Sequence, residues 1–187
     1  MKKIMFNDKY GLTQAVLEGR KTQTRRTFLK HGEETLLHGI TSEYLISVKS
    51  RYKVGETIAI AQSYKDIHAE ILREVGDWDL KKEFMQSKGY ANKMFVRAEK
   101  MPHAIRITNI RVQRLQDIRE KDCMKEGIWR DDNVGLEGTT YWYHGLSNSS
   151  FRTPQEAYAS LIDRISGKGT WASNPYVFVY DFVLMKI

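Results

Sequence analysis

The sequence predicts an α+β domain that is mainly β, a small mixed β-barrel with peripheral helices and inserted loops. Three observations predict it. Apolar runs of strand length recur at 57–61, 104–115 and 175–184. The middle run shifts its apolar phase: Ile105 and Ile107 share one face, Ile110 and Val112 the other. Such a shift fits a β-bulge near Thr108 and Asn109, a device common where barrels bend. Helical spacing comes only in short stretches, opened by a cap or closed by glycine.

Taken in order, 3–6 is a short apolar strand. Residues 8–19 carry Leu12, Ala15 and Val16 at helical spacing, and Gly19 stops the helix with Arg20 and Lys21 just beyond. Residues 22–28 are rich in Thr and Arg and read as a strand with both faces near solvent or ligand. Residues 30–50 read as loop. Residues 52–56 turn into the 57–61 strand, and 66–86 is helical with an interruption at Gly76. A short strand follows at 94–98, then the long strand 104–115. Residues 118–126 form a short helix closed by Gly127. Residues 129–152, aromatic and rich in Gly, Ser and Asn, read as an insertion or lid-like loop. Thr153 caps a helix running to Ile165, with Pro154 at its first position. The run 175–184 is apolar on both faces and reads as a central strand.

The chain of 187 residues fits one domain, 1–187, with insertions expected at about 30–50, 65–95 and 129–152. Hydrophobic residues make up 41% and charged residues 28%, a globular balance that excludes a disordered or collagenous chain. Thirty Lys and Arg against 23 Asp and Glu give a formal charge of +7. That field suits anionic partners such as RNA or nucleotides, and equally it suits plain solubility. Cys123 is the single cysteine, which excludes an intrachain disulfide and a cysteine-rich zinc site. Its setting predicts a buried or half-buried structural thiol. The five histidines show no metal spacing, so neither a metal nor another cofactor is expected. No apolar run reaches the ~18 residues of a membrane span, and the N-terminus lacks a secretory pattern. The cytoplasm is the expected compartment.

Three clusters carry candidate chemistry. In the first, Gly19 to Arg26, four cations (Arg20, Lys21, Arg25 and Arg26) stand beside two threonines. Close-set cations depress one another's proton affinity, so a desolvated Lys21 could act as a base, and a threonine hydroxyl needs such a base to become a nucleophile. Alternatively the segment is a solvated strand holding phosphate by its cations alone. In a regular strand Lys21 and Thr24 point to opposite faces, because their separation is odd. They cooperate only if the segment turns or bulges, or if Lys21 still belongs to the helix end.

In the second cluster Glu126 ends a helix. A carboxylate is poorly matched to the negative end of the helix dipole. It therefore either has another partner, Lys21 or a ligand amine, or stands in solvent. In the third, Trp171 and Asn174 lead into the last strand. Trp171 either stacks on a base or anchors the strand, and Trp129, Tyr141, Trp142 and Tyr143 pose the same choice. No G-x-S-x-G elbow, Walker A loop, G-x-G-x-x-G fingerprint or H-E-x-x-H helix is present.

The order G-R-K-T-x-T-x-R (19–26), G-E-x-I-x-I (55–60), a long strand, R-L-Q-D-I (114–118) and E-G-I (126–128) resembles the ASCH domain. M-P-x-x-x-R-I (101–107) and W-x-x-N-P (171–175) resemble the longer ASCH-like proteins of phages and prophages. Together these segments span most of the chain. The resemblance implies a PUA-like barrel associated with RNA binding. Some small bacterial ASCH proteins are amidohydrolases that deacetylate N4-acetylcytidine. By position their catalytic set falls on Lys21, Thr24 and Glu126. Thr24 would attack the amide carbonyl, Lys21 take its proton, and Glu126 orient Lys21 or assist the leaving amine. Arg20, Arg25, Arg26, Arg106, Trp171 and Asn174 are the expected substrate or RNA contacts. The expected partner is a nucleoside or single-stranded RNA, taken by an amidohydrolase, by a non-catalytic RNA-binding module or by a ribonuclease. The chain is longer than the small amidohydrolases, and its insertions could reshape the pocket.

Overall fold

The computed structural model describes residues 1–28, 39–67, 82–83, 85–132, 138–146 and 150–186. The chain is mixed α+β and divides into two compact units. Unit 1 comprises 1–6, 57–106 and 184–187; unit 2 comprises 7–56 and 107–183.

In unit 1, strand β1 (Lys3–Ile4) runs parallel to β3 (Thr57–Ile60), with Lys3 opposite Ala59. The start of β4 (His103–Arg114) pairs antiparallel with β3, Ile58 facing Ile105. A small core of Ala59, Tyr64, Ile67, Val96, Ala98 and Met101 fills the unit. Gly89 is obligatory there, because a Cβ would lie 2.6 Å from Tyr64 Cε2. The strand expected at 94–98 is instead a pair of 3-10 turns, Lys93–Phe95 and Ala98–Lys100. The Asn92 side chain accepts from the Met94 amide, and Lys3 Nζ donates to the Val96 carbonyl. The backbone groups of 92–96 are thus held by caps and a lysine. The helix expected at 66–86 falls largely on 68–81 and 84, outside the described residues.

In unit 2 the remainder of β4 continues the sheet to β7 (Tyr176–Lys186), which pairs antiparallel with β2 (Gln23–Thr27). The full strand order is β1-β3-β4-β7-β2. β1 and β2 end that order, and among the described residues no ladder joins them, so the expected closure into a barrel is not seen in the hydrogen bonding. β7 is flanked on both sides, which is why Val177, Phe178, Val179, Tyr180 and Phe182 are all buried. The phase shift in β4 is present in its burial: Ile107 is buried, Thr108 and Asn109 are both exposed, and Ile110 is buried again.

Helix α1 (Leu12–Leu17) follows a 3-10 turn at Asp8–Tyr10; Gly11, at φ +62°, breaks the helix expected over 8–19. The loop expected at 30–50 contains helix α2 (Ser42–Lys49), capped by the Thr41 hydroxyl and anchored by the buried Leu45. Its Tyr44 and Val48 are exposed, so it lacks the wide apolar stripe that marks a helix in sequence. α3 (Glu120–Lys125) ends at Glu126 and Gly127, the latter at φ +101°. Within the expected 129–152 loop, β5 (Trp129–Asp131) and β6 (Thr140–Trp142) form a two-stranded ladder. Cross-strand packing makes it: the Trp129 and Trp142 rings stack at 5.1 Å. α4 (Pro154–Ser166) has the expected Thr153 cap, closed reciprocally by Glu156. Its buried stripe of Ala157, Tyr158, Leu161 and Ile162 packs on α3 and β6. A last turn, α5 (Thr170–Ser173), leads into β7.

Candidate functional site

β2 lies next to α3, and its burial is the first departure from expectation. Gln23, Thr24 and Arg25 are all buried, so the strand does not face solvent on both sides. The backbone fixes its start: the Lys21 amide donates to the Ala15 carbonyl at 2.8 Å, and the Thr22 amide to the Lys125 carbonyl at 3.0 Å. Lys21 is therefore clamped between the end of α1 and the end of α3. Gly127 leaves room for this approach; a Cβ there would lie 3.2 Å from Leu12 and 3.8 Å from Lys21 Cδ.

From that start, side chains alternate. Lys21, Gln23 and Arg25 turn to α3. Lys21 Nζ donates to Glu126 Oε2 at 2.6 Å and to the Glu126 carbonyl at 2.9 Å. Arg25 Nη1 donates to Glu126 Oε1 at 2.9 Å and also to Gln23 Oε1. Gln23 Nε2 in turn donates to Asp181 Oδ1 on β7 and, at 3.5 Å, to Asp122 Oδ1. Asp181 also accepts from Arg111, so a continuous network runs from buried Lys21 to half-buried Arg111. Glu126 is thus partnered rather than solvated. Its two cations compensate the unfavourable end of the helix dipole.

Lys21 is only 2% exposed. Burial holds its ammonium below the usual lysine range, with Glu126 acting in the opposite direction and Arg26 and Arg25 adding to the depression. Cys123, on the same helix face, is fully buried, and that burial pushes its thiol up to about 12. The hydroxyl of Tyr158 is likewise raised by burial, with Glu126 adding to it.

Thr24 takes the other face. It stands opposite Tyr180, whose hydroxyl meets Ser50 Oγ at 3.1 Å and whose ring stands edge-on to Tyr52. Among the described residues no hydrogen bond joins the Thr24 side chain to Lys21 or Glu126. Arg26 shares Thr24's face by alternation, and its charge acts on the Tyr52 hydroxyl. The structure therefore brings Lys21, Arg25 and Glu126 together and sets Thr24 apart from them.

The remaining expected contacts other than Arg106 have structural partners of their own. Arg20 lies 3.7 Å from the centre of the Trp129 ring and pairs with Glu18 at 2.5 Å. Arg25 has no exposed side-chain surface. Arg106 is exposed on β4 within unit 1. Trp171 packs edge-on to Tyr158, and its amide donates to Asp163. Asn174, at φ +45°, accepts from the Gln116 amide, and its carbonyl accepts from Arg114. These two residues tie the start of β7 to the turn after β4.

Beside the network, unit 2 has a cleft of about 600 Å³. Thr22, Gln113 and Phe182 line it with four cations (Arg111, Arg119, Lys121 and Lys125) and three carboxylates (Asp117, Asp122 and Asp181). Sequence reading missed Asp122, Gln23, Asp181 and this wall. Two signals were present: Asp122 and Glu126 are spaced i, i+4 on one helix face, and Lys21, Gln23 and Arg25 alternate with period two. Among the described residues no group of three His, Cys, Asp or Glu is placed to hold a metal ion, and no helix is long and apolar enough to cross a membrane. Compared with models of known families, with curated proteins and with solved structures, the chain matches none.

Proposed function

We propose that the protein is an ASCH-type module of PUA-like fold that binds a nucleoside or single-stranded RNA in the cleft of unit 2, in the cytoplasm. The observation that carries this reading is the cleft itself: four cations line an opening of nucleotide size, braced from behind by the buried Lys21–Glu126–Arg25 network. Glu126 pairs with both buried cations of the network at once, so the network serves as the rigid wall and the cleft serves as the binding surface. On this reading binding is at the cleft cations Arg111, Arg119, Lys121 and Lys125 rather than at Arg20 or Arg25.

A second reading, hydrolysis of an N-acylated nucleoside, is favoured by one observation: the depressed ammonium of Lys21 lies 2.6 Å from Glu126. Thr24 as its nucleophile is disfavoured by strand alternation.

One experiment tests both. A short single-stranded RNA and N4-acetylcytidine are each incubated with the protein between about 50 and 200 mM salt. RNA affinity should fall log-linearly with salt, with a slope of about −0.7 per phosphate contacted. No RNA or nucleoside binding at the lowest salt removes the binding reading. Release of acetate that survives in Thr24→Ala but is lost in Lys21→Met would establish hydrolysis without Thr24. Loss in Thr24→Ala alone would contradict the separation of Thr24 from the site.

A further inference from the structure

The walls of the cleft differ between rim and inner end. Arg111 is bound to Asp181, and Lys125 lies 3.8 Å from Asp122. Arg119 and Lys121, by contrast, are exposed and have no carboxylate within ion-pair distance among the described residues. The rim thus carries two uncompensated positive charges.

The inner end is the opposite. Asp122 is 8% exposed, yet among the described residues no side chain comes nearer to its carboxylate than 3.5 Å. Gln23 reaches it at 3.5 Å, Lys125 at 3.8 Å, Arg111 at 3.9 Å and Arg25 at 4.0 Å. Among the described residues two side chains here carry buried donors with no hydrogen-bond acceptor: Gln113, a residue that lines the cleft with Asp122, at Nε2, and Arg25, which is 6% exposed, at Nε and Nη2. Buried polar groups are almost always hydrogen-bonded, and an unmatched one is costly. A ligand edge that offers an N–H to Asp122 and an oxygen or ring nitrogen to Gln113 would satisfy both at once. Nucleobase edges have that pattern. A phosphate at the inner end would meet the Asp122 carboxylate and be repelled, whereas at the rim it meets two free cations.

Resting on the nucleoside-binding reading above, we infer that the cleft takes a phosphorylated nucleoside, its phosphate against Arg119 and Lys121 and its base edge against Asp122 and Gln113. A free nucleotide and a residue of an RNA strand share this chemistry.

The test is calorimetric titration of the full chain at low salt with the four nucleosides, their 5′-monophosphates, inorganic phosphate and an RNA hexamer. At least one monophosphate should bind on the order of tenfold tighter than its own nucleoside. The exposed double variant Arg119→Ala/Lys121→Ala should reduce it to the nucleoside's affinity, while Gln113→Ala should weaken nucleoside and nucleotide alike. A hexamer tighter than every monophosphate identifies RNA as the source, and the reverse order identifies a free nucleotide. Equal affinity for a nucleoside and its monophosphate overturns the inference, as does an unchanged ratio in the double variant. Inorganic phosphate binding as tightly as the monophosphates overturns it too, leaving a simple anion site. Failure of nucleosides, monophosphates and hexamer alike removes the underlying reading.

Discussion

Glu126→Ala is expected to destabilise unit 2 by about 3–5 kcal/mol, the range for stranding a buried cation by removing its partner. Glu126 is the shared acceptor of Lys21 at 2.6 Å and Arg25 at 2.9 Å, and both cations are buried. Removing it takes the carboxylate from Lys21 and leaves Arg25 only Asp122, at 4.0 Å, in a region that water does not reach. Lys21→Met should behave differently. It removes the desolvated ammonium, replaces it with a side chain of similar length, and leaves Glu126 paired to Arg25. Its cost should be well under half that of Glu126→Ala. Urea unfolding of the two variants and wild type, analysed at constant m-value, gives the comparison. Equal costs, or a loss below about 1 kcal/mol for Glu126→Ala, would mean that the network contributes as an exposed ion pair does.

Alkaline pH should reveal Cys123. Its thiol is raised by burial from 9.0 to about 12, so between those values the unfolded chain has released a proton that the folded chain keeps. The contribution is intact below pH 9 and is lost as pH rises toward 12, at about 1.4 kcal/mol per pH unit, on the order of 4 kcal/mol in all. Tyr158, also raised by burial, adds loss of the same sign above pH 10. Lys21 has the opposite sign. Its pKa is depressed below 10.5, so the unfolded chain binds the extra proton, and stability rises with pH through that window. Cys123→Ala should therefore flatten the loss between pH 9 and 12, and Lys21→Met should remove the opposing rise. A stability profile in which Cys123→Ala runs parallel to wild type over that range would contradict the buried thiol.

Elements that announce themselves locally were legible in the sequence. Thr153, Pro154 and Glu156 spell a capped helix start, and Gly127 marks a helix end. The double-sided apolar run of β7 is what a strand flanked on both sides requires. Elements decided by tertiary contact were not. α2 is held by one buried leucine and a cap, too little to produce a helical stripe. The 93–100 segment is apolar enough to resemble a strand, yet its backbone is held by Asn92 and Lys3. β5 and β6 are joined by Trp129 on Trp142, a pairing that depends on register.

The site divides in the same way. The odd separation of Lys21 and Thr24 predicts opposite faces for a regular strand; Lys21 precedes β2 and turns to Glu126, while Thr24 within β2 stands opposite Tyr180. The partnership of Lys21 with Glu126 crosses 105 positions and was open in the sequence only as one alternative for a helix-end carboxylate. Asp122 carried only its i, i+4 spacing to Glu126, and Asp181 could not be singled out among 23 acidic residues, because nothing local distinguishes it before β2 pairs with β7.

The most direct measurement of the central claim is a ¹⁵N chemical-shift titration of the whole chain with a short single-stranded RNA at low salt. Binding in the cleft of unit 2 predicts saturable shifts at the amides of Thr22, Gln113, Arg119, Asp122 and Lys125. Saturable shifts confined to Arg106 and the rest of unit 1, or no saturable shift in unit 2, would contradict it.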